Sequence, residues 1–324
     1  MTESTNTTTS NTVTLEDVRQ AEAHVASYAH RTPVVSSQSL NRIVGHDVFF
    51  KCENFQKTGA FKFRGAINSI SHLTDQQRQS GVVTHSSGNH AGALAAAAKL
   101  FGIKAHIVMP STSSRVKKAA VIEYGANVIE CEPTLESRLE VSSQVQSETG
   151  ATMIPPFNHP HVIAGQATAA LEFHDQVPGL ETIVAPVGGG GLISGTCVST
   201  GALAPNCRIF GGEPTGADDA FRSKASGNLE TNETVNTIAD GLRTTLGDLT
   251  WPFVRDEVEK IITVTDEEIT SAMQLLFERT KLLVEPSSAV CLAAVMKIDA
   301  EKSGRQKIGI IISGGNVDLA KLPW

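Results

Sequence analysis

The chain has no excess of positive charge. Against 27 Lys and Arg stand 34 Asp and Glu, a net charge of −7, and the pI is about 5.8. That balance argues against nucleic acid and against an anionic membrane surface as partners. No apolar run reaches membrane-spanning length. The start, MTESTNTTTSNTVT, lacks the basic and apolar regions of a secretion signal and the arginines of a transit peptide, so residues 1–14 read as a disordered lead-in. Cysteine is sparse: Cys52, Cys131, Cys197, Cys207 and Cys291 are scattered, odd in number and without C-x-x-C spacing. A disulfide or zinc framework is therefore not expected, and reduced thiols in a cytoplasmic protein are.

What is present is apolar and periodic. Hydrophobic residues make up 40% of the 324-residue chain and charged residues 19%, enough for a soluble protein with a substantial core. The length suggests two lobes. A helix is expected from Thr14, where TLED reads as an N-cap and an acidic first turn. After the strand DVFFK, short apolar strands alternate with helices: GVVTH, NHAGALAAAAKLFG, KAHIVMP, SRVKKAAVIEYG, ANVIEC and TLESRLEVSSQVQSETG. The alternation resumes with TIVAPV, GLISGTCVSTGAL, CRIFGGEP, DEEITSAMQLLFERT, SSAVCLAAVMKI and KIGIIIS. The strands are apolar on both faces, as parallel strands covered by helices are. The fold class is α/β with open parallel sheets and right-handed crossovers. In such sheets ligands gather where strand C-termini meet helix N-termini.

Several loops stand at such places. Residues 53–66, ENFQKTGAFKFRGA, put Lys62 between Phe61 and Phe63. Either the side chain snorkels with its ammonium wet, or it is a desolvated nucleophile of the Schiff-base kind. In APVGGGGLISG, residues 185–195, four glycines join a strand to a helix, where bare backbone N–H groups can cradle an anion. No register of Gly188, Gly189, Gly190, Gly191 and Gly195 satisfies G-x-G-x-x-G, and no G-K-[ST] follows. Dinucleotide and Walker loops are thereby excluded. In THSSGNHAGAL, residues 84–94, hydroxyl and N–H groups at a helix start suit a carboxylate, or form an ordinary N-cap. IIISGGNVD ends a strand at Ser313. GGEPTGADDAFRSK offers Glu213, Asp218 and Asp219, oxygen ligands for Mg²⁺ or Ca²⁺, or an acidic helix start.

Together KCENFQKTGAFKFRGA, THSSGNHAGA, VIAGQATAALE, VGGGGLISG, EPTGADDAFRSK, TIADG, KLLVEPSSAV and IISGGNVDL resemble the fold type II pyridoxal-phosphate enzymes, over roughly residues 15–318. Within that group the serine racemases and serine/threonine dehydratases are the nearest kind. The resemblance implies two open parallel-sheet lobes with the active site between them. The large lobe is expected over 15–80 and 157–324, and the small, mobile lobe over 81–156.

The resemblance also assigns roles. Lys62 carries the Schiff base to pyridoxal 5′-phosphate, flanked by Phe61 and Phe63. Gly188, Gly189, Gly190, Gly191 and Leu192 hold its phosphate, Asn89 its ring hydroxyl and Ser313 its ring nitrogen. Ser86, Ser87, Asn89 and His90 hold the substrate carboxylate. Ser87 stands where plain dehydratases usually have alanine, on the side of Cα opposite Lys62, which permits racemisation. The expected reactions are racemisation of L-serine to D-serine and dehydration of serine to pyruvate and ammonia. The alternatives are a dehydratase acting on L-threonine or threo-3-hydroxyaspartate, and a non-catalytic amino-acid-binding protein.

A Mg²⁺ site (or Ca²⁺ or Mn²⁺) maps onto Glu213, the Ala217 carbonyl and Asp219. ATP contacts map onto Tyr124 and Lys281, but Gly92 and His24 depart from the pattern. Arg138, Arg243 and His159 lie near the expected pocket and read as surface or structural residues. A homodimer is implied.

Overall fold

A computed structural model describes residues 13–113 and 115–324. Most of the expected lead-in, residues 1–12, lies outside the described residues. Val13 is buried and Thr14 caps the first helix. The strands are β1 Val34–Ser36, β2 Asp47–Cys52, β3 Val82–His85, β4 Ala105–Pro110, β5 Asn127–Cys131, β6 Thr152–Met153, β7 Thr182–Pro186, β8 Arg208–Pro214, β9 Lys260–Val264 and β10 Lys307–Ile312. The helices are α1 Leu15–Ala26, α2 Gln38–Val44, α3 Lys62–Ser71, α4 Asp75–Ser80, α5 Asn89–Phe101, α6 Arg115–Glu123, α7 Leu135–Thr149, α8 Pro160–Gln176, α9 Gly191–Leu203, α10 Asp219–Ser226, α11 Trp251–Asp256, α12 Asp266–Thr280, α13 Pro286–Val295 and the single-turn α14 Ala300–Ser303.

Local chemistry sets the helix ends. Thr14 and Asp17 form a reciprocal capping box at the start of α1, and Thr265 with Glu268 forms another at α12;. Gly102 and Gly150 end α5 and α7 in the left-handed conformation that glycine adopts at little cost;.

The strands build two sheets, ordered β1-β2-β10-β7-β8-β9 and β5-β4-β3-β6. All pairings are parallel except β1 with β2. That antiparallel pair departs from the all-parallel expectation. β1 is a three-residue edge strand, and α2 between it and β2 turns the chain back along the same edge, as mixed sheets allow. Strands β7 and β10 are buried nearly end to end, under helices on both faces. The smaller sheet has a core on each face, one built with α3 and α5 and the other with α7. The strand C-termini of β3, β7 and β10 open toward the loops singled out above. Among the described residues no helix is long and apolar enough to cross a membrane.

Candidate active site

Lys62 is the first residue of α3. Its Nζ donates to the Pro156 carbonyl at 2.6 Å and lies 5.0 Å from the centre of the Phe61 ring. Burial pushes its pKa down to about 8, and the Glu285 carboxylate opposes that fall. The amine is thus neutral in part near neutral pH, which a nucleophile needs. Phe61 is tied to the end of β10, its N–H donating to the Ser313 carbonyl at 3.0 Å. The buried Ser313 hydroxyl meets that of Ser288 at 2.9 Å, and Ser288 also receives the Gly314 N–H.

Glycine is required in the loop after β7 for different reasons at different positions. A Cβ on Gly189 would sit 2.3 Å from the Phe157 ring, and one on Gly188 3.0 Å from the Leu242 Cα. Gly190 has φ +85, and its Cβ would strike Thr250 and Leu246. Among the described residues the N–H groups of Gly188, Gly189, Gly190, Gly191 and Leu192 meet no protein acceptor. Five unsatisfied donors at the positive end of α9 form an anion cradle. A phosphate fits them by donor chemistry, and Lys62 and Ser313 suit the rest of pyridoxal phosphate.

A second set of free N–H groups lies after β3. Gly88 caps α5 without a side-chain bond, and the Ser87, Asn89 and His90 N–H groups have no protein acceptor among the described residues. The Ser86 hydroxyl turns inward, accepting from the Gly88 N–H at 3.3 Å. His90 donates from Nε2 to the Ile154 carbonyl at 2.9 Å, which leaves its buried Nδ1 as an unpartnered lone pair. Burial pushes its pKa down to about 3, so it stays neutral. Its Nδ1 cannot donate to a carboxylate; its backbone N–H can.

Sequence reasoning assigned no role to Glu285. This buried carboxylate accepts from Asn89 Nδ2 at 2.8 and 3.1 Å and from the Asn316 N–H at 3.3 Å. Burial pushes its pKa up to about 7, helped by Asp240. It therefore joins α5 to α13 beside Lys62, and Asn316 completes the link by donating to Asn89 Oδ1 at 2.9 Å. The only local signal was a glutamate before a proline, which reads as a plain helix start.

The remaining expected residues fall as follows. Glu213 accepts the Ala220 and Phe221 N–H groups at 2.9 and 2.8 Å, and burial pushes its pKa up to about 8. Asp219 accepts from the Leu246 N–H at 2.9 Å and from Asn232 at 2.7 Å; burial raises its pKa too. Ala217 is buried in the turn between them. Among the described residues no group of three or more His, Cys, Asp or Glu side chains could hold a metal. The expected set contains two carboxylates and a carbonyl, an all-oxygen chemistry that suits Mg²⁺ or Ca²⁺.

Tyr124 packs beside α5, and Lys281 caps α12 with its ammonium on the Glu278 carbonyl. His24 is held by Asn68 at 2.9 Å, and its ring meets His72 edge-on. Arg243 is turned onto the Thr237 carbonyl, and His159 caps α8. Arg138 Nε is buried without a partner, and its charge acts on His85, just before the Ser86–Asn89 loop.

Known proteins share this arrangement. Residues 25–314 match the family described as pyridoxal-phosphate dependent enzyme. A serine racemase from Oryza sativa subsp. indica is 51% identical over 312 residues, covering 95% of this chain and 92% of that one. A β-hydroxyaspartate dehydratase from Paracoccus denitrificans is 48% identical over 311 residues, covering 96% and 98%. The solved structure of maize serine racemase superposes with a TM-score of 0.93 at 51% identity, covering 95% of each chain. With a cradle of free N–H groups, a half-buried lysine of lowered pKa and this likeness along nearly its whole length, the chain belongs to the pyridoxal-phosphate dependent enzymes of fold type II.

Proposed function

We propose that this protein racemises L-serine to D-serine and also dehydrates serine to pyruvate and ammonia. One combination carries the reading. A part-neutral Lys62 amine shares a cleft with the Ser87 loop, linked through Glu285 and Asn89, in a chain 51% identical to a protein named serine racemase.

Pyridoxal phosphate, held by Lys62, Asn89, Ser313 and the N–H groups of Gly188 to Leu192, supplies the electron sink that acidifies the substrate Cα–H. The chain's own groups do the rest. The free N–H groups at the start of α5 orient the substrate carboxylate, with Ser86 and Asn89 beside them. Lys62 Nζ takes the proton from one face of Cα. The Ser87 hydroxyl returns one to the other face, its anionic form favoured by the positive end of α5. Ser313 offers a hydroxyl where a carboxylate would hold the ring nitrogen protonated, which favours quick reprotonation or loss of a β-hydroxyl. Loss of that hydroxyl as water, then hydrolysis, gives pyruvate and ammonia.

A second substrate has one observation in its favour. The charge of Arg138, whose buried Nε has no partner among the described residues, acts at His85 beside the Ser86–Asn89 loop, and a relative named β-hydroxyaspartate dehydratase is 48% identical. Turnover of L-threo-3-hydroxyaspartate measured beside L-serine decides between the two.

We also propose a divalent cation on Glu213, the Ala217 carbonyl and Asp219. The support is a pair of buried carboxylates with raised pKa values and, among the described residues, no ion pair of their own. The proposal does not extend to ATP, because Gly92 has no side chain and His24 is already bound to Asn68. A cytoplasmic homodimer is part of the proposal; sedimentation tests the dimer.

A further inference from the structure

The segment VIAGQATAALE has no chemical role in the reaction described so far. It forms most of α8, which lies between the lysine helix α3 and the glycine-loop helix α9. Both contacts are backbone-close. A Cβ on Gly165 would lie 2.6 Å from the Gly65 Cα, and a Cβ on Gly195 of α9 would lie 2.6 Å from the Ala167 N. Ser199 of α9 adds a bond to the Ala167 carbonyl at 2.9 Å. Two residues apart on α8, the helices that carry Lys62 and the anion cradle are thus pressed against one rod.

One N–H at the start of α3 depends on that rod, while those of Phe63 and Arg64 bond within the turn. Phe61, its N-cap, makes no side-chain cap. The orphan N–H of Gly65 is taken instead by Gln166 Oε1 of α8 at 3.2 Å. Gln166 is fully buried, and its Nε2 has no partner among the described residues, so the side chain is committed to this one acceptor task.

Arg64 fastens the same turn from behind. It lies two residues after Lys62, roughly 200° round the helix, and so faces away from the cleft. Its guanidinium bonds Glu53 through Nε and Nη2, both at 2.8 Å, and Glu172 of α8 through Nη1 and Nη2 at 2.7 and 2.9 Å. Thr168 of α8 accepts at 3.1 Å. Lys51, buried beneath, closes the set on Glu172 at 2.6 Å. Two cations and two anions are fully partnered there. A buried network of this kind adds little to stability over apolar packing, while fixing geometry.

We infer that Gln166 and Arg64 are positioning residues: through them α8 acts as a spacer that sets Lys62 Nζ at a fixed distance from the N–H cradle of Gly188 to Leu192. The inference rests on the reading of Lys62 as the reacting amine and of that cradle as the phosphate site.

The test compares capture of pyridoxal phosphate and of phosphate-free pyridoxal by the apoprotein. Each aldehyde condenses with the Lys62 amine and loses one water; borohydride reduction and peptide mass locate the adduct. A correctly spaced cradle makes the phosphorylated aldehyde react faster, because binding then delivers the carbonyl to the amine. Gln166→Leu removes the acceptor and is expected to lower the rate ratio of pyridoxal phosphate to pyridoxal by about tenfold. Gln166→Glu keeps an acceptor there and is expected to restore the ratio to within about twofold. Ser199→Ala, a milder variant that leaves α3 intact, should lower the ratio in the same direction by roughly threefold. A lowered melting temperature with an unchanged ratio in Gln166→Leu and Ser199→Ala would overturn the spacer role. A wild-type adduct at a lysine other than Lys62 would overturn the cofactor reading, and the inference with it.

Discussion

In the proposed reaction Lys62 and Ser87 act on opposite faces of one carbon, and their environments differ. Lys62 is desolvated to a pKa of about 8; Ser87 sits at a helix start whose N–H groups are free. Ser87→Ala is expected to lower racemisation at least ~100-fold while elimination, which in the proposed reaction needs only Lys62, stays within about threefold. Chiral chromatography with a keto-acid assay measures both; equal loss of the two would remove Ser87 from the account. The lowered pKa also sets a pH profile. Capture of pyridoxal phosphate by the apoprotein needs the neutral amine, so its rate rises with pH and levels off above about 8. The negative charge of Glu285 holds that pKa up, so Glu285→Gln moves the midpoint lower; a rise would contradict the geometry. Lys62 was legible because an amine between two phenylalanines is out of place. Glu285 was not, because its partner Asn89 is 196 positions away and only the fold brings the two together.

The loop after β7 shows what an element contributes. Its glycines are forced by neighbours that no spacing rule reveals, Phe157 above all. Gly189→Ala is expected to weaken pyridoxal-phosphate binding at least ~10-fold, about 1.4 kcal/mol, read by equilibrium dialysis; unchanged affinity would show that the ring gives way. Near β8, two buried carboxylates with raised pKa values share a turn. A divalent cation there, as proposed, predicts that chelation lowers the melting temperature by roughly 2–4 °C per kcal/mol of lost binding and that Mg²⁺ restores it. A chelator-insensitive melt would leave the turn without a cation. Elements with strong end signals were readable, such as α1 with Thr14 and Asp17 and α5 with Gly102. β1 escaped notice because three residues carry no periodicity, and its antiparallel pairing depends on the return through α2.

At the scale of the molecule, the two sheets place three loops, from β3, β7 and β10, around one cleft. Asn89 and Asn316 span it through Glu285. We expect the β3–β6 unit to close over bound substrate and exclude water. Solution scattering with and without malonate checks this: a smaller radius of gyration is expected, and no change would count against closure. The parallel architecture was legible because apolar strands alternate with helices along the chain. The cleft's inner wiring was not, since α8 joins α3 and α9 by backbone contacts at Gly65, Gly165 and Gly195 that look in sequence like ordinary small residues.

The central claim is tested most directly by incubating the purified holoenzyme and Mg²⁺ with L-serine, L-threonine and L-threo-3-hydroxyaspartate in turn, following D-product by chiral chromatography and keto acid by a coupled assay. D-serine together with pyruvate is expected from L-serine. Keto acid alone, fastest from threonine or hydroxyaspartate and with no D-serine, would contradict it.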